Sequence, residues 1–137
     1  MPDMSSSSAY RALVAQVAGD LAEMQPDGPA VQRALLLAAH AGLHRQGGDA
    51  DWDLYTIAVT QALADVQADL AEQVVLTEDV PAPGQDSAEL RLAVVNLVRR
   101  LADLYATAAA GPAGSPWRRL VWAQVAHRLD DAVAELT

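Results

Sequence analysis

The sequence predicts an all-α fold, a single-domain bundle of four to five helices, and three observations carry that expectation. Apolar residues recur at spacings of three and four along most of the chain. Alanine makes up about a fifth of the 137 residues, combining the highest helix propensity with a side chain small enough for close helix approach. No run alternates apolar and polar residues as a half-buried strand does. The one β-branched cluster, Val74–Thr77, is short and ends a helical run.

The first helix is expected from Ser7 or Ser8 to Met24, with Tyr10, Leu13, Val14, Val17 and Leu21 on its inner stripe. The serine run supplies N-caps, and "PDGP" at 26–29 ends the helix because proline and Asp-Gly turn the chain. The second helix starts with Pro29 at its first position, where a missing N–H costs nothing, and runs to about Arg45. Its "ALLLAA" segment is apolar all round, which predicts the central, most buried helix. Gly47 and Gly48 stop it.

The third helix begins near Asp51 or Trp52 and is expected to reach Val75, with Tyr55, Val59, Ala62, Val66 and Leu70 inward and Asp65, Asp69 and Glu72 outward. The stretch "TEDVPAPGQD", 77–86, reads as a linker free to move. The fourth helix starts at Asp86 or Ser87, where Asp86 followed by Glu89 resembles a capping box. Ser115 as cap and Pro116 at the first position open the fifth helix, which runs to the C-terminus. Domain organisation follows: residues 1–8 as a flexible segment and 9–137 as the bundle.

A weak internal similarity runs through these helices. Residues 53–70 laid on 119–136 agree at six of eighteen positions, and the first helix, "YRALVAQVAGDLAEM", likewise resembles "LRLAVVNLVRRLADL" in the fourth, which raises an approximate duplication against the chance likeness of alanine-rich helices.

Composition removes whole classes of function. With 52% hydrophobic and 20% charged residues, the chain can bury a core and is not disordered. There is no cysteine, which excludes disulfides, thiolate nucleophiles, cysteine-type zinc sites and iron–sulfur clusters. All nine basic residues are arginine, so Schiff-base chemistry and a phosphate-binding P-loop lysine are excluded as well. A net charge of -9 opposes general nucleic-acid binding and anionic membranes. No apolar run reaches spanning length and the N-terminus lacks a signal-peptide pattern, so a cytoplasmic location is expected.

The most chemical-looking stretch is "LLLAAHAGLHRQGGDADW", 35–52. His40 and His44 lie one turn apart on one helix face, a spacing that suits a shared metal ion. The zinc-protease motif needs glutamate after the first histidine, where Ala41 stands. The di-iron pattern needs glutamate three before a histidine, where Leu37 and Ala41 stand. No metal site and no cofactor are therefore expected. The histidines and Arg45 complement the helix C-terminus, and Asp49 or Asp51 caps the next helix.

Charge is segregated along the chain. From Gln46 to Leu90 there are ten acidic residues and no basic one, while six of the nine arginines fall between Arg91 and Arg128. Two explanations compete: pairing within the fold, including an Arg99–Asp103 pair one turn apart, and recognition of an anion or acidic partner by the arginine fork. Arg118 and Arg119 in the first turn of the fifth helix are candidates for the second. Trp122, Tyr105, Asn96, Arg100 and His40 are candidates for a pocket between helices. Trp52 and Trp117, both at helix starts, fit either core sealing or interface anchoring. No nucleophile elbow, phosphate-cradling loop or aligned carboxylate pair is present, so no catalytic residue is named. The function expected is non-enzymatic association with a protein partner, self-association included, in a regulatory or accessory role. The alternative is a small-molecule-binding protein or small enzyme with a pocket inside the bundle, taking a small anionic ligand.

Overall fold

In a computed structural model, residues 6–21, 24–69 and 80–137 are described, and they form five helices and no strand. The helices are α1 (Ser6–Asp20), α2 (Pro29–His44), α3 (Ala50–Asp69), α4 (Ala88–Ala110) and α5 (Pro116–Leu136). Ser6–Ser8 already belong to α1, so helix replaces the expected flexible segment there, and residues 1–5 lie outside the described residues. The expected end of the third helix at Val75, the outward Glu72 and the start of the linker, 77–79, lie outside them too.

Local chemistry accounts for the helix ends. Ser115 Oγ accepts from the Arg118 backbone N–H at 3.2 Å, and Pro116 occupies the first turn. At α4 the cap is Ser87, whose hydroxyl accepts from the Leu90 N–H at 3.0 Å. The capping box expected around Asp86 does not form, because that carboxylate is engaged elsewhere. α1 stops at Asp20, four residues before Met24, as the chain turns toward Pro26. Gly47 and Gly48 adopt φ of 75° and 103°, the left-handed region that lets the chain reverse between α2 and α3.

One apolar cluster joins all five helices, running from Tyr10 and Val14 through Leu35, Val59, Leu97 and Leu101 to Leu129. α2 is heavily buried, as its sequence demands, and rests on α1, α3 and α4. The tightest packing nevertheless belongs to α5, which lies against both α3 and α4. α2 and α3 approach closely at Gly42: a Cβ there would stand 2.2 Å from Thr56 Oγ1. The duplication finds no support in the packing. α4 lies tightly on α5, whereas α1 and α3, their counterparts in such a scheme, are not neighbours.

The described part of the linker is fastened rather than free. Val80 packs against the core and Pro83 is buried. Gln46 N–H donates to Gly84 O at 2.7 Å, and Asp86 N–H donates to Gln46 O at 3.1 Å. Among the described residues no helix is long and apolar enough to cross a membrane.

Candidate functional site

An open groove of about 830 Å³ lies where the end of α1, the second half of α4 and the start of α5 meet. Its apolar wall comes from Leu21, Met24, Leu104, Ala108 and Trp122, and its polar groups are Arg100, Asp103, Thr107, Arg118 and Asp27. The α4–α5 loop forms one side. Gly114 lies flat on the indole of Trp122, where an added Cβ would come within 2.7 Å of Cζ3. Glycine is thus required by the close approach of backbone to ring.

The charges on this groove are incompletely paired. Arg118 reaches Asp27 at 3.5 Å, tying α5 to the turn after α1. Arg100 and Asp103 are exposed and have no ion-pair partner among the described residues. The Arg99–Asp103 pair expected from spacing is not made. Asp103, although exposed, lines the groove instead.

Three of the seven residues singled out from sequence, Arg100, Arg118 and Trp122, converge on this groove, and four do not. Arg119 turns to the other side of the loop, donating to Gly111 O at 3.4 Å. Tyr105 is fully buried with its hydroxyl unpartnered, and burial pushes its pKa up. Asn96 is exposed on α4 and is no part of the groove wall. His40 is half-buried on α2, its ring stacked on Tyr10 at 5.9 Å and tilted against His44 at 4.4 Å. Among the described residues, no third histidine, aspartate or glutamate joins this pair in a metal-binding group. Asp27, Asp103 and Thr107 were not legible as site residues. The "PDGP" turn signals only a chain reversal, and nothing local says that its carboxylate faces α5.

A second polar cluster sits at the Trp52 corner. The indole N–H donates to Asp86 Oδ1 at 2.8 Å, and Arg91 grips the same carboxylate through Nε at 3.0 Å and Nη2 at 2.9 Å. The guanidinium groups of Arg45 and Arg91 lie 5.4 and 5.8 Å from the indole centroid. Arg45 also donates to Gly42 O and to Asp53 at 2.9 Å, and Arg91 reaches Asp49 at 3.2 Å. Arg91, followed by its burial and then Trp52, governs Asp86. The arginine hydrogen bond outweighs desolvation, so the carboxyl is held below the usual carboxylate range. Arg45 Nε is buried without a partner among the described residues, but the other polar groups there serve one another, and the corner fastens residues 84–87.

The segregated charges seen in sequence meet at two points among the described residues: Arg91 pairs with Asp86 and Asp49, and Arg128 of α5 bonds to Asp65 and Gln61 of α3, both at 2.8 Å. Arg45–Asp53 and Arg118–Asp27 each involve one residue outside those segments.

No protein family, no curated protein and no solved structure matches this chain.

Proposed function

We propose that the protein is a non-enzymatic binding module that acts by association with another protein chain, docking at the groove between α1, α4 and α5. The observation that carries this reading is the groove itself: an apolar wall of Leu21, Met24, Leu104 and Trp122 beside an unpaired Arg100 and Asp103. Apolar surface supplies affinity, and rim charges supply orientation and selectivity. The groove is open along its length, which suits a protruding segment of a partner. Trp117 and Leu120, 70% and 65% exposed on α5, add the kind of aromatic and aliphatic anchors that interfaces use. A second copy of this chain is the first partner to test.

Light scattering across roughly 1 µM to 1 mM, the range of weak to moderate association, measures this directly. Self-association is expected, and Arg100→Glu, which adds a third acid beside Asp27 and Asp103, is expected to weaken it. Association undiminished by Arg100→Glu and by Leu104→Glu would remove the groove from the interface.

A second reading is favoured by one observation: Arg100 presents a guanidinium with no carboxylate partner among the described residues. A small carboxylate or phosphate ligand with an apolar body would meet both the arginine and the indole wall. A melting-temperature screen with aliphatic and aromatic carboxylates separates the readings. Stabilisation that Arg100→Ala abolishes, in a strictly monomeric protein, selects the ligand.

A further inference from the structure

We propose that His40 is a pH-responsive latch: its neutral ring holds α1 against α2, and its protonation loosens α1. Tyr10 of α1 stacks on one side of the ring, with centroids 5.9 Å apart and planes 24° from parallel. His44, one turn later on α2, lies at 4.4 Å. His40 Nε2 is shielded from solvent and has no hydrogen-bond partner. A proton placed there would be a buried charged donor without an acceptor, among the costlier changes a fold can suffer.

The groups facing His40 can be taken element by element. From α1 comes Tyr10, whose hydroxyl is already committed to Leu37 O at 2.7 Å. From α2 comes His44, a like charge once protonated. From the 80–83 segment comes only the backbone of Pro81, which favours the charged form. No ionisable side chain of α3 or α4 acts on the ring, and among the described residues no carboxylate pairs with it. Burial, then His44, outweigh Pro81 and bring the His40 pKa below the ordinary 6.5.

The sign follows. The unfolded chain takes up the proton first as pH falls, so this contribution to stability is full above about 6.5 and is lost below it. The loss approaches tenfold in the folding constant for each unit by which the two pKa values differ.

The element released is set by packing: α1 rests on α4 and only lightly on α2, where Tyr10 bonds to Leu37 O. Leu21, directly after α1, lines the groove, so loosening α1 reshapes that wall. This last consequence rests on the groove being the binding site; the latch does not.

Hydrogen exchange on the full chain without ligand, at about pH 7.5 and about pH 5.5 on either side of the histidine range, tests the latch. After correction for intrinsic exchange, amides of 8–20 should lose several-fold more protection at the lower pH than those of α5. His40→Leu, which cannot titrate, should abolish that difference. A loss spread evenly over all helices, or one retained in His40→Leu, overturns the proposal. Should His40→Leu not fold, the wild-type exchange profile is read with the NMR titration of His40: an even loss or a pKa at or above 6.5 overturns the proposal, and a loss confined to 8–20 that follows a depressed His40 pKa upholds it.

Discussion

Two buried tryptophans, Trp52 and Trp122, have different surroundings. Trp52 is fully buried, its indole N–H bonded to Asp86 and its ring flanked by Arg45 and Arg91. Trp122 shows its ring to an open groove, beneath a glycine loop and beside an arginine and an aspartate that pair with nothing described. At the first corner nearly every polar group is engaged by another, Arg45 Nε excepted, and the cluster ties elements together. At the second, Arg100 and Asp103 are unpaired among the described residues. Buried polar clusters are costly unless nearly complete, which fits a structural role for the corner, whereas the unpaired charges on the open groove are what the proposed docking would use.

The contrast predicts unequal responses to mutation. Trp52→Ala is expected to cost most, about 3–5 kcal/mol, because it empties a fully buried aromatic site and removes the indole hydrogen bond to Asp86. Chemical denaturation measures it, and a loss under 1 kcal/mol would remove the corner from the fold's foundations. Asp86→Asn should follow, at roughly 1–3 kcal/mol, since the Arg91 guanidinium loses a charged bidentate partner. The same carboxylate carries an acid limb. Its folded pKa is depressed, so its contribution is full above the unfolded carboxylate range and fades as pH falls through the folded value. The wild-type urea midpoint should therefore decline in acid more steeply than that of Asp86→Asn.

Gly42→Ala sits between the two regions in size. Its Cβ would overlap Thr56 Oγ1, whose hydroxyl donates to Trp52 O at 2.8 Å. Overpacking of this kind costs about 1–3 kcal/mol, and the double change Gly42→Ala with Thr56→Ala should recover most of it. The smallest effect belongs to the groove. Arg100→Ala, exposed and unpaired, should leave the melting temperature within the scatter of surface changes, about 0.5 kcal/mol either way. Should it destabilise as strongly as Asp86→Asn, the groove would be a second fastening and the contrast would fail.

The five helices were legible because their signals are local. Ser115–Pro116, Pro29, Gly47–Gly48 and the spacing of Leu90, Val94, Leu97 and Leu101 act within a turn or two of chain. The site was legible only in part. Trp122, Arg100 and Arg118 drew notice by residue type, while Asp27 and Asp103 read as a turn and a local ion pair. Asn96 shows the limit plainly: one amide between Val95 and Leu97 carries no mark of which way it faces, and it faces outward.

The sequence by itself determined which residues become helix, where each helix starts, and which chemistries are unavailable, because backbone hydrogen bonding, capping and composition need no distant partner. Tertiary structure decided how the charges are spent. Arg128 meets Asp65 across 63 residues, and Asp86 leaves its expected capping duty for Trp52, 34 residues away. It also decided that α1, α4 and α5 diverge around Trp122 to leave a groove. Such outcomes depend on how rigid helices fit against one another, and side-chain reach across that fit is not written in any local stretch of chain.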